Sequence, residues 1–169
     1  QRLLLRMSRF CCHVARASGS LRTADGPALL QHVTTAAQLI ERLRLEPHPE
    51  GGWYRQTWRS QTTMPDGRVA GTSILYLLEA GQRSHWHRVD AEEVWIFQAG
   101  SPLLLLTADG GVTVETRLGH GLAESPQHVV RAGEWQSAEA EDGWTLVACV
   151  VVPGFRFEGF EMAPPGWRP

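Results

Sequence analysis

The chain has 169 residues, 43% of them apolar, enough for one domain with a substantial core. Its formal charge of −2 and its pI near 6.4 argue against nucleic acid or another polyanion as partner. All 16 basic residues are Arg, which excludes Schiff-base chemistry, a phosphate-loop lysine and a Lys general base, and no apolar run approaches the roughly 20 residues of a membrane span.

Residues 1–32 read as a leader or tail outside the fold. Arg2, Arg6, Arg9, Arg16 and Arg22 precede the first acid, Asp25, a composition like that of an organellar transit peptide. A start assigned upstream of Met7, or residues foreign to the protein, are the alternatives. A genuine transit peptide implies a mitochondrial location, and otherwise the expectation is cytoplasmic. Cys11 and Cys12 are adjacent and Cys149 stands alone in an apolar run, so no disulfide framework is expected and a reducing compartment is the default.

The single domain spans 33–165. Thr35-Ala-Ala-Gln38 is a capping box opening a short helix with an apolar stripe of Ala36, Leu39, Ile40 and Leu43, predicted to end near Leu45 ahead of Pro47. Pro49-Glu-Gly-Gly52 is a turn, and from there the pattern has period two. Strands are predicted at 53–58, 72–78, 85–89, 93–98, 102–107, 112–117, 127–131, 135–138 and 144–152, with alternation again over 155–162; Asp109-Gly-Gly111 marks a hairpin. Many short strands punctuated by Gly and Pro point to an antiparallel sandwich or barrel.

His85 and His87 stand at i and i+2, so on a regular strand their imidazoles share a face. With a carboxylate from the next strand they make two nitrogen ligands and one oxygen ligand, a set suited to a divalent transition metal. Glu92 and Glu93 compete for that role. Glu93 is preferred, because alternation then puts Trp95 and Phe97 on the same face and Glu93-x6-Gly100 closes the unit.

Gly81, His85-x-His87, Glu93 and Gly100 resemble the first sequence motif of the cupin superfamily. Arg131-Ala-Gly133-Glu-Trp-Gln136 stands at the second motif, with Arg in place of its Pro and Gln136 in place of its His. Leu45-Glu-Pro-His-Pro-Glu-Gly-Gly-Trp-Tyr-Arg55, Thr72-Ser-Ile-Leu-Tyr-Leu-Leu78, His85-Trp-His-Arg88, Glu92-Glu-Val-Trp95 and Cys149 through Phe155 are together similar to one small single-domain cupin family of unknown function, over about 34–162. The resemblance implies an all-β double-stranded β-helix (a jelly-roll or cupin barrel) with a short N-terminal helix. It further implies a homodimer, a deep apolar-walled pocket, and metal ligands His85, His87 and Glu93 with Gln136 as a weak fourth.

Trp53, Arg55 and Thr57 share one face of the first strand and are ligand-binding candidates with Trp95, Phe97 and Gln136. Arg55 suits a carboxylate or phosphate. His48, between two prolines, reads as a loop residue, and Cys149 as a small core residue. Two functions remain open. One is a small-molecule enzyme using Fe, Mn, Zn or Ni at His85, His87, Glu93 and Gln136, of oxygenase or isomerase class. The other is a metal-free cupin that binds or epimerises a sugar-like or carboxylate- or phosphate-bearing ligand, with His85 or His87 as acid or base oriented by Glu93.

Overall fold

The structure, a computed structural model, describes residues 34–169; the Arg-rich leader lies outside the described residues. Helix α1 covers Ala36–Leu43. The Thr35 hydroxyl accepts from the Gln38 N–H at 3.2 Å, and the Gln38 side chain accepts from the Thr35 N–H at 2.9 Å, the reciprocal pairing of a capping box. The helix stops short of Leu45 because Arg44 adopts a left-handed conformation, φ 53°. That turn sends Leu45 into the same apolar cluster as Leu39 and Leu77.

Eleven strands follow: β1 Glu46–Pro47, β2 Trp53–Arg59, β3 Thr72–Leu78, β4 Arg83–Val89, β5 Glu92–Gly100, β6 Leu103–Asp109, β7 Val112–Leu118, β8 Gln127–Val130, β9 Trp135–Glu139, β10 Thr145–Val152 and β11 Phe160–Met162. They form a six-stranded sheet, β1-β2-β3-β10-β5-β8, and a five-stranded sheet, β11-β4-β9-β6-β7. All the pairings within the two sheets are antiparallel. This is the all-β double-stranded β-helix expected above. Among the described residues no helix is long and apolar enough to cross a membrane.

The alternating inward residues fill the space between the sheets: Tyr76, Trp95, Phe97, Leu103, Leu105, Leu118 and Val147 are all buried. A second cluster lies on the outer face of the six-stranded sheet, where α1 packs Leu39 and Ile40 against Leu75, Leu77, Trp53 and Trp144. Most of β6 follows simple alternation, Leu103 and Leu105 inward and Leu104 and Leu106 half-buried on the other face.

The C-terminal segment departs from its predicted alternation. Only Phe160–Met162 is strand, preceded by a 3₁₀ turn over Phe157–Gly159. Gly159 lies directly against the Asp90 carboxylate, where a Cβ has no room, and its carbonyl accepts from the Asp90 N–H at 2.9 Å. Arg68 and Arg156 both donate to Asp90, and Arg68 also donates to the Gly154 carbonyl. Held at both ends, this segment folds across the end of the barrel and carries Phe155, Phe157 and Phe160 to the mouth of a cavity.

Candidate functional site

That cavity, about 260 Å³, lies between the sheets and has an aromatic mouth and a polar interior. It has room for a ligand of on the order of ten non-hydrogen atoms. Among the described residues its titratable lining consists of His48, Glu50, Tyr54, His87, Glu93 and Cys149, with neither Arg nor Lys.

Glu50 comes from the loop between β1 and β2. The His48 N–H donates to the Gly52 carbonyl and the Gly51 N–H to the His48 carbonyl, both at 3.0 Å. Gly51 and Gly52 have φ of 108° and 68°, and a side chain on Gly52 would come within 2.6 Å of Leu78 and 2.7 Å of the Leu77 carbonyl. Only glycine lets this loop approach β3 so closely. The Tyr76 hydroxyl, donating to the Gly51 carbonyl at 2.7 Å, fixes it there. Glu50 is consequently carried into the barrel and is 5% exposed.

His87 on β4 is 2% exposed. Its Nδ1 lies 2.8 Å from the His85 carbonyl. A carbonyl only accepts, so Nδ1 carries the proton and Nε2 of the neutral ring presents a lone pair. That Nε2 lies 3.3 Å from Glu50 Oε2. Two acceptors this close, away from water, require a proton between them. Burial pushes His87 below its ordinary pKa, against the attraction of Glu93, and burial pushes Glu50 upward, against the influence of His48, Ser84 and Tyr76. Both directions favour the shared proton on Glu50 and a neutral His87.

Glu93 on β5 is buried, whereas Glu92 is exposed. Gln136 on β9 holds it: the amide nitrogen donates to Glu93 Oε2 at 2.6 Å, and the amide oxygen accepts from the Trp95 indole at 2.8 Å. An indole N–H only donates, so this fixes which way the amide points. Burial and the neighbouring Glu50 raise the Glu93 pKa, opposed by His87 and Gln136. Cys149 is also in the wall, its thiol pushed well up by burial and the two carboxylates, so it is not a nucleophile. Among the described residues, Ser84 Oγ is the one buried side-chain polar atom without a partner in hydrogen-bond geometry.

The sequence-derived candidates are not all brought together. His87 and Glu93 face the cavity, but His85 is exposed. A bulge in the β4–β9 pairing, between Ser84 and His87, breaks the period-two alternation that would have aligned the two imidazoles. His85 contributes through its backbone instead: its N–H donates to the Glu50 carbonyl at 2.8 Å, and its carbonyl orients His87. Trp53 and Arg55 lie on the outer face of β2, and Thr57 is the exposed extra residue of a bulge; Trp53 packs against α1 and donates to Glu79 at 3.0 Å. The opposite face, Tyr54 and Gln56, lines the cavity. Trp95 and Phe97 are inward but sit in the core beyond the cavity wall. His48 and Glu50, read from sequence as turn residues, are lining residues.

The metal set expected from sequence does not fit this geometry. His85 points away, and the Gln136 oxygen is committed to an indole while its nitrogen faces Glu93. Among the described residues no three His, Cys, Asp or Glu side chains are grouped to hold a metal ion. Arg55, being exposed on the other face of β2, is not placed to receive an anion in the cavity.

The sequence profile of a family described as cupin superfamily (DUF985) matches residues 37–163. A protein from Shewanella oneidensis, solved by X-ray crystallography, is 38% identical with a TM-score of 0.74, the match covering 77% of this chain and 85% of that one. A hypothetical protein from Leishmania major is 32% identical with a TM-score of 0.71, covering 77% and 88%. Oxalate decarboxylase from Bacillus subtilis, at 16% identity and a TM-score of 0.54 over 69% of this chain and 29% of that one, shares the fold alone. No curated protein matches the chain.

Proposed function

The chain belongs to the DUF985 family of the cupin superfamily, and we propose that it is a metal-free enzyme that moves a proton on a small molecule held in the barrel cavity. The observation that carries this is the pair of acceptors 3.3 Å apart, His87 Nε2 and Glu50 Oε2, inside a cavity large enough for a metabolite. The environment separates their roles, a neutral imidazole as base and a protonated carboxyl as acid, which is the arrangement that isomerisation by proton transfer needs. The His85 carbonyl keeps the imidazole in the tautomer with Nε2 free, and Gln136 keeps Glu93 facing the same space. Phe155, Phe157 and Phe160 at the mouth exclude water from the reacting atoms.

The test is hydrogen–deuterium exchange at carbon, followed by NMR in D₂O with small aldehydes, ketones and hydroxy-ketones of about ten non-hydrogen atoms or fewer. The reading predicts exchange catalysed by the wild type, lost in His87→Gln and reduced in Glu50→Gln by about 10²-fold or more. No catalysed exchange across the series, or undiminished exchange in His87→Gln, would refute it.

A further inference from the structure

The cavity's charge pattern makes a statement about its ligand, resting on the proposal above only in that the same cavity is the binding site. Two acidic side chains, Glu50 and Glu93, share the space, and among the described residues no guanidinium or ammonium lines it. The Glu93 carboxylate accepts from the Gln136 amide at 2.6 Å, with the Cys149 thiol beside it. Glu50 holds the proton it shares with His87, because its ionised form has little support there. Its near neighbours are His87 Nε2 at 3.3 Å and His48 Nδ1 at 3.6 Å. The first is a lone pair in the neutral ring, and the second accepts from the Glu50 backbone N–H at 3.4 Å. The Tyr76 and Ser84 hydroxyls lie near Glu50 and pull its pKa down, but burial outweighs them, and Tyr76 directs its proton at the Gly51 carbonyl. A cation bound beside Glu50 takes the place of that shared proton, which leaves to solvent, and the buried carboxylate is then paired.

The walls agree. Phe155, Phe157, Phe160 and Tyr54 line the cavity, and the face of an aromatic ring attracts an organic cation. From these contacts the geometry points to a ligand that carries an ammonium group, seated between Glu50 and Glu93 with its hydrocarbon part against the aromatic mouth. This reverses the anionic preference that Arg55 suggested from sequence.

The experiment is isothermal titration calorimetry at pH 7 with three probes of one shape, benzylamine, benzyl alcohol and benzoate, together with D-xylose as a neutral, donor-rich competitor. The expected result is benzylamine binding at least tenfold tighter than benzyl alcohol and xylose, with no binding of benzoate. Glu50→Gln and Glu93→Gln, both isosteric, are each expected to remove about tenfold from benzylamine affinity and leave benzyl alcohol unchanged. Equal or tighter binding of the alcohol, the sugar or benzoate overturns the inference, as does an undiminished amine affinity in both variants or an absence of amine binding. Failure here is separable from failure of the proton-transfer reading: amine selectivity without carbon exchange refutes only the latter, and exchange on neutral carbonyls without amine selectivity refutes only the former.

Discussion

Replacing Gln136 by Leu removes one amide and strands two buried partners. The Trp95 indole loses its acceptor at 2.8 Å, and Glu93 loses its donor at 2.6 Å, in a site where Gln136 is 1% and Trp95 1% exposed. A buried unsatisfied donor costs about 1–3 kcal/mol, and the loss of a hydrogen bond to a carboxylate about 1.5–3. Leu fills nearly the same volume, so no large cavity term is added. The expected destabilisation is about 3–5 kcal/mol, a fall in Tm of roughly 6–20 °C for a domain of this size. Glu93 can recover part of that by keeping its proton, so the deficit grows as pH rises. The assay is urea unfolding followed by tryptophan fluorescence at pH 5 and pH 8, with far-ultraviolet circular dichroism to confirm the sheet. A loss below about 1 kcal/mol at both pH values would show that the amide does not hold these two groups. Gln136→His separates the alternatives further. A metal-ligand role at this position predicts stronger metal uptake by the His variant, whereas the bridging role predicts a loss of stability without uptake.

The buried acids and bases set opposite pH dependences. Glu50 and Glu93 are raised above their ordinary 4.5 by burial first, so their contribution is complete below that value and is lost as pH rises through the raised folded values. His48 and His87 are lowered from 6.5 by burial first, so theirs is present above 6.5 and lost as pH falls through the lowered values. Glu50→Gln is therefore expected to gain stability relative to wild type at pH 8 and not at pH 4, as read by thermal unfolding; a gain at pH 4 alone would reverse the assignment. Gly52→Ala forces a left-handed alanine against Leu78 and the Leu77 carbonyl, with an expected cost of about 2–4 kcal/mol in urea unfolding; a cost under about 0.5 kcal/mol would mean the loop is not pressed onto β3. His85→Ala keeps both backbone bonds and alters an exposed side chain, so stability should change by less than about 0.5 kcal/mol and the NMR titration of His87 should not move. A displaced His87 titration would restore a role for the His85 ring.

Period-two alternation made most strands legible, and it puts Glu93 rather than Glu92 on the inner face, as in the structure, because β5 is regular through that point. It failed at β4, where the extra residue of the bulge turns His85 outward; the partners that stabilise the bulge, the Glu50 carbonyl and β9, are distant in sequence. On β2 alternation defined two faces but not which one is internal. The face with Trp53 is the outer one, because α1 supplies apolar cover there, and the register pairs Tyr54 with Tyr76 inside. Glu50 was hidden because a carboxylate in a Pro-Gly-Gly turn normally faces water. The local signal was the pair of glycines, which marks a close backbone approach but does not say which side chain that approach buries.

The most direct measurement is the ¹⁵N chemical shift of both His87 ring nitrogens, followed from pH 5 to pH 8 with and without added zinc. The account predicts Nδ1 protonated and Nε2 free, a neutral ring across pH 6.5–8 with its midpoint below 6.5, and no change with zinc. A midpoint at or above 6.5, or a metal-coordination shift on Nε2, would contradict the metal-free acid–base pair.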